Sequence, residues 1–313
     1  MLTERELESC YLGQFIPVHY HHNMLMDNRR MSGFKAAITH LVAPGAKVLE
    51  LGGGTGVLSW FAAAKAEKVW CVEYNPDLVA EAKRFLAQNV NGDRVEVIHG
   101  DAFEYLPPEP VDVVICEMIH VAMLREKQVQ VIESFKQRYL EKFGGPLPLF
   151  IPEAMIMAVQ PLQQDYCFEG YNAPIVQFQE PTFIQPGSVE LAQPSVYSML
   201  DFTQAVSAQI AWQGVFTIEH EGTVNALRFV TKNILAVVME QSTTVDWLNH
   251  YLVLPLAEPV SVQKGDQLYV SLEYKAGGSI PSLQASLRAQ HLHVIEAEWA
   301  TCLLYTSPSP RDV

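Results

Sequence analysis

Lys47-Val48-Leu49-Glu50-Leu51-Gly52-Gly53-Gly54-Thr55-Gly56 is the stretch on which the fold turns. Its first five residues read as a short buried strand, and the glycines end it. A glycine turn placed straight after a strand lets backbone approach a ligand where side chains would clash. No Lys-Ser or Lys-Thr follows Gly56, which argues against a nucleoside triphosphate site. Outward from this turn, residues 57–66 read as a helix and 68–73 as a second strand. Residues 77–89 read as a further helix, with Leu78, Ala82, Phe85 and Leu86 on one face. Two more apolar strands follow at 95–99 and 111–116, then a long helix at 123–143 stopped by Gly144-Gly145-Pro146. Such alternation predicts an α/β domain: a Rossmann-like parallel sheet with helices on both faces.

Beyond Pro152 the rhythm changes. Residues 215–218, 252–254 and 267–274 are short strand-like runs, and Leu268, Val270, Leu272 and Tyr274 alternate as in a half-buried strand. Lys264-Gly265-Asp266 and Gly277-Gly278 supply turns between them. Two domains are expected, 1–152 and an antiparallel β-barrel or sandwich at 153–301. Residues 302–313 match neither rhythm; they read as a Ser/Pro-rich tail or as the in-frame translation of a sequencing adapter, which they resemble over eleven residues.

Composition narrows the partners. The 313 residues carry 21 Lys and Arg against 35 Asp and Glu, a net charge of −14. That disfavours direct nucleic-acid binding, where basic residues must neutralise phosphates, and favours cationic partners. The five cysteines, at 10, 71, 116, 167 and 302, form no C-x-x-C pair, so neither a zinc site nor a disulfide framework is signalled. The His19-Tyr20-His21-His22 run lacks acidic or Cys partners at ligand spacing, and no metal is expected. With no signal-like N-terminus and no apolar run of about 18 residues, neither export nor a membrane is expected, and the chain is expected to be cytoplasmic.

The E-L-G-x-G-T-G pattern, with Glu73 ending the second strand, resembles class I S-adenosylmethionine-dependent methyltransferases. The resemblance implies that Gly52, Gly54 and Gly56 border the methionine part of S-adenosyl-L-methionine and that Glu73 holds its ribose. His99-Gly100-Asp101-Ala102 matches the adenine-facing segment, with Asp101 and Ala102 as contacts. Read by itself, Asp101 equally suits a helix cap.

Glu117 and Glu126 flank the apolar stretch after the fourth strand. Alone, Glu126 would serve simply as an acid at a helix start. The pair also resembles the double-glutamate loop of protein arginine methyltransferases. Arginine is a planar, delocalised cation; one carboxylate fixes its plane while another draws charge from the attacking nitrogen. His21-His22-Asn23-Met24-Leu25-Met26-Asp27-Asn28-Arg29-Arg30 resembles that family's H-x-x-M-L-x-D-x-x-R segment. It implies His21 and Arg30 beside the cofactor and Met24 beside the acceptor. Tyr11 partly matches a Y-F-x-x-Y motif, with Phe15 in place of its second tyrosine, and Val245-Asp246-Trp247 resembles a T-H-W loop. Tyr11 and Trp247 are thereby placed on the acceptor side.

Two departures stand out. Asp246 replaces the histidine of T-H-W and would face Asp27, opposing two carboxylates unless a proton or cation intervenes. Residues 162–179 are shorter than the family's dimerisation arm, which puts a homodimer in question. Three readings follow: a methyltransferase acting on Arg-containing basic protein or peptide, one acting on a small molecule or another side chain, and a cofactor-binding regulatory protein.

Overall fold

The computed structural model describes residues 18–181 and 183–292. Tyr11, Phe15 and the 302–313 tail lie outside them. Two helices open the described chain, α1 (Val18–Met26) and α2 (Asn28–Leu41), with Asp27 capping the second through a 2.9 Å bond from the Arg30 amide.

Next come β1 (Lys47–Leu51), α3 (Val57–Ala63), β2 (Lys68–Glu73), α4 (Pro76–Leu86), β3 (Val95–His99) and β4 (Val113–Cys116). α5 (Gln128–Phe143) and β5 (Leu149–Ile151) complete the first half. The five strands are all parallel, in the order β3-β2-β1-β4-β5. The near-continuous burial of β1, β2 and β4 follows from being covered on both faces, whereas β3, at the edge, buries only Val97. The alternation had announced four of these strands; β5 was hidden because it is three residues long. The helix expected from 123 begins only at Gln128. Ala122, Met123 and Arg125 sit at φ 57°, 54° and 63°, left-handed backbone that no α-helix accepts.

The second half is antiparallel. Its strands are β6 (Ala154–Gln164), β7 (Cys167–Phe168), β8 (Tyr171–Asn172), β9 (Gln177–Gln179), β10 (Ser188–Glu190), β11 (Ser195–Asp201) and β12 (Gln209–Thr217). They continue as β13 (Gly222–Val238), β14 (Thr243–Leu248), β15 (Tyr251–Val262), β16 (Gln267–Lys275) and, after helix α6 (Ile280–Ser286), β17 (Arg288–His291). One sheet runs β10-β6-β13-β15-β9, with β11 on β6 and β14 on β13; a second runs β12-β16-β17. Among the described residues no ladder closes these sheets into a barrel: β12–β16 forms a separate sheet. The 162–179 region holds only the end of β6, the β7–β8 hairpin and β9.

One apolar cluster joins the halves, running from Phe34 and Leu49 through Ile115 and Met123 to Met155, Phe229 and Leu235. A shared core of this kind fixes the first sheet against the second. No helix among the described residues is long and apolar enough to cross a membrane.

Candidate active site

In the order β3-β2-β1-β4-β5 the connections diverge on either side of β1 and β4, opening a crevice at their carboxyl ends. The glycine turn leaves β1 there and Glu117 leaves β4. Gly52, Gly54 and Gly56 have φ of 78°, 54° and 79°, which only glycine adopts freely. Gly53 is glycine for a different reason: a Cβ there would lie 2.2 Å from Cys71 Sγ. The amides of Gly52 and Gly53 both donate to the Val72 carbonyl at 2.9 Å, tying the turn to β2.

Glu73 reinforces that tie. One carboxylate oxygen accepts the Gly54 amide at 2.8 Å and the other the Asn75 amide at 2.8 Å. Asp101 accepts the Phe103 amide at 2.8 Å, so it does cap a turn, and with Ala102 it also lines the cleft. His21, Met24, Arg30, Gly52, Gly54, Glu73, Glu117 and Glu126 line the same cleft, whose empty volume is about 1180 Å³ including its open mouth. Gly56 stands back from it, capping α3 and packing toward Leu86.

Arg30 forms an ion pair with Glu117, both side chains being nearly buried. Burial raises the Glu117 carboxyl, with the Arg30 guanidinium pulling the other way. Glu126 is pushed up to about 8, by burial first and by the charge of Glu117 second. Glu117 Oε1, Arg30 Nε and Gln128 Nε2 are buried and have no hydrogen-bond partner. The site therefore sets Arg30 against the Glu117 and Glu126 carboxyls, with polar atoms of each sign still open, in a cleft that Glu50, Glu73, Asp101 and Lys127 also line.

Trp247 is placed differently from the expectation. It lies behind Arg30, whose guanidinium stacks 5.3 Å from its ring centre, and it lines a neighbouring cavity with Asp27, Arg29 and Asp246. Asp27 and Asp246 line that cavity, and Asp246 has a cation of its own: Lys232 Nζ reaches it at 2.9 Å. A second donor, Thr244 Oγ1, lies 3.0 Å from the same oxygen.

Glu50 carries a chemical feature that the motif did not single out. It is buried under the glycine turn, accepts the Ser59 amide at 2.9 Å and the Ser59 hydroxyl, and lines the cleft. Burial pushes its carboxyl up to about 8 against those bonds. An acid inside a strand that is otherwise apolar after Lys47 was the available signal; its burial depends on α3 folding over it.

A methyltransferase-domain family model matches residues 48–141. A "probable protein arginine N-methyltransferase 6" of Arabidopsis thaliana is 30% identical over 146 residues, 46% of this chain and 33% of that protein. An uncharacterized protein of Methanocaldococcus jannaschii is 29% identical over 269 residues, 86% of this chain and 96% of its own length. The crystal structure of Arabidopsis thaliana protein arginine methyltransferase 10 superposes with a TM-score of 0.69 at 19% identity, covering 84% of this chain and 89% of that one. The chain is an S-adenosylmethionine-dependent methyltransferase, similar in sequence and in fold to protein arginine N-methyltransferases.

Proposed function

We propose that the enzyme methylates a guanidinium nitrogen of arginine in a basic protein or peptide. The observation that carries this reading is the charge imbalance in the cleft: five acids, Glu50, Glu73, Asp101, Glu117 and Glu126, line it against two basic side chains, Arg30 and Lys127, and at the Glu117 and Glu126 pair Arg30 is bound to Glu117. A second guanidinium supplies the missing charge and lets both carboxylates ionise together. Glu117 Oε1, buried and unpartnered, is an acceptor suited to it.

The residues present also fit the cofactor. Gly54 keeps clear a space that a Cβ would narrow to 3.0 Å from His21, and Arg30 Nε is an open donor. Gly52 and Gly54 are assigned to the methionine part, with Gly56 shaping the turn behind them. Glu73 is assigned to the ribose, Asp101 and Ala102 to the adenine, and His21 and Arg30 to the methionine end. When bound, the cofactor supplies a methyl group on a sulfonium for in-line displacement. Glu117 and Glu126 fix the guanidinium plane, and Met24 borders the acceptor. The proton leaving the methylated nitrogen passes to Glu126, whose raised carboxyl suits a group that takes a proton near neutrality.

Incubation with labelled cofactor and Arg-rich peptides tests this. Glu117→Gln is expected to lower peptide labelling roughly a hundredfold or more. Equal labelling by wild type and variant would remove Glu117 from the chemistry. A second reading, a small molecule or another side chain as acceptor, draws on Asp246, which stands where the resembled T-H-W loop has histidine and is paired with Lys232. Labelled product from a metabolite extract lacking methylguanidine would favour it.

A further inference from the structure

The segment between Glu117 and Glu126 holds its shape against its own backbone preferences. Ala122, Met123 and Arg125 are left-handed without being glycine, a conformation that persists only where the surroundings enforce it. Four hydrogen bonds from the antiparallel half do so. Thr231 Oγ1 accepts the Ala122 amide at 2.8 Å, and the Tyr274 hydroxyl donates to the Ala122 carbonyl at 2.8 Å. Gly277 donates to the Met123 carbonyl at 2.7 Å, and the Arg125 amide donates to the Gly278 carbonyl at 2.7 Å. Ala122, Met123 and Thr231 are fully buried, so water does not replace these bonds when one is lost. Tyr274 spends its one proton on Ala122. Its 2.9 Å bond to Tyr197 therefore runs with Tyr197 as donor.

We propose that Tyr274, together with Thr231, is a positioning residue for methyl transfer: gripping both polar groups of the Ala122 backbone, they set the direction in which the Glu117 and Glu126 carboxylates face the acceptor. The proposal rests on the reading that those two carboxylates hold the acceptor. Neither Tyr274 nor Thr231 lines the cleft. Their action passes through the loop, whose other end is anchored locally by the 2.9 Å bond from the Met118 amide to Gln128 Oε1. The antiparallel domain thus does more than cover the acceptor: its strands β13 and β16 complete the geometry of a loop belonging to the parallel domain.

The test compares full-length Tyr274→Phe with Tyr197→Phe. Each removes one buried hydroxyl and keeps the ring, but only the first touches the loop. With labelled cofactor and an Arg-rich peptide, Tyr274→Phe is expected to lower kcat roughly ten- to a hundredfold with KM for the cofactor little changed. Amide hydrogen exchange should quicken in residues 118–126. Tyr197→Phe should cost comparable thermal stability while keeping kcat within about twofold. Thr231→Val should behave like Tyr274→Phe, and Thr231→Ser, which keeps the hydroxyl, should restore turnover. An unchanged kcat in Tyr274→Phe, or equal kcat losses in the two tyrosine variants, would overturn the proposal. A wild type that labels no peptide defeats the acceptor reading instead. Exchange at 118–126 then decides the positioning claim, and unchanged protection in both Tyr274→Phe and Thr231→Val sinks it.

Discussion

Glu50 shows how one buried side chain writes its signature into the whole molecule. Unfolded, its carboxyl titrates near the ordinary 4.5; folded, burial moves it to about 8. Between those values the folded chain keeps a proton that the unfolded chain has released. Its contribution to stability is therefore complete on the acid side of 4.5 and is lost as pH rises through 8. Glu50→Gln removes this dependence. Unfolding measured at pH 5 and pH 8.5 should show wild type losing on the order of 3 kcal/mol more than the variant. Parallel pH profiles for the two proteins would show that Glu50 ionises freely where it stands. The same physics operates at Glu126, where the charge of Glu117 comes second only to burial and the proposed acceptor would relieve it.

At the scale of the element, the glycine turn combines two different constraints. Gly52, Gly54 and Gly56 are required by backbone angle, whereas Gly53 is required by the Cys71 thiol pressed against it. Gly53→Ala should destabilise the protein by about 1–3 kcal/mol through overpacking. Removing the thiol makes room, since the Cys71 Cβ would lie 3.7 Å from the added methyl. Gly53→Ala added to Cys71→Ala should consequently cost much less than Gly53→Ala alone. Urea unfolding of both singles and the double variant measures that coupling; additive losses would mean the turn shifts bodily instead. The turn was legible in sequence because three glycines with strand before and helix after leave few alternatives. The loop between the glutamates was legible only as a pair of acids, since its left-handed residues, Ala122, Met123 and Arg125, are not residue types that announce such backbone.

At the scale of the molecule, the net charge of −14 sets a field that attracts cationic partners, the proposed basic acceptor among them. Salt screens that attraction over about 10 Å, while contacts inside the cleft are screened much less. Raising salt from about 0.05 M to about 0.5 M should increase KM for an Arg-rich peptide several-fold, with kcat and KM for the cofactor moving less. A peptide KM indifferent to salt would confine recognition to the cleft itself. The shared apolar cluster matters at this scale too, because it holds α2, β4 and the antiparallel sheet in one body around Arg30 and Glu117.

The sequence by itself determined the parallel sheet, the change of architecture near Pro152, the glycine turn and part of the cleft lining, from His21, Met24 and Arg30 to Glu73, Asp101, Glu117 and Glu126. These follow from short-range patterns: strand and helix periods, glycine spacing, and acids at strand ends. Tertiary structure alone decided what those residues do to one another. It seated Trp247 behind Arg30 rather than in the cleft, paired Lys232 with Asp246, and left the antiparallel sheets unclosed among the described residues. It also buried Glu50 and placed Thr231 and Tyr274 on the Ala122 backbone, across 109 and 152 residues of chain. Burial and partner choice are properties of packed surfaces far apart in sequence, and it is these that set the charge of a carboxyl and the direction it faces.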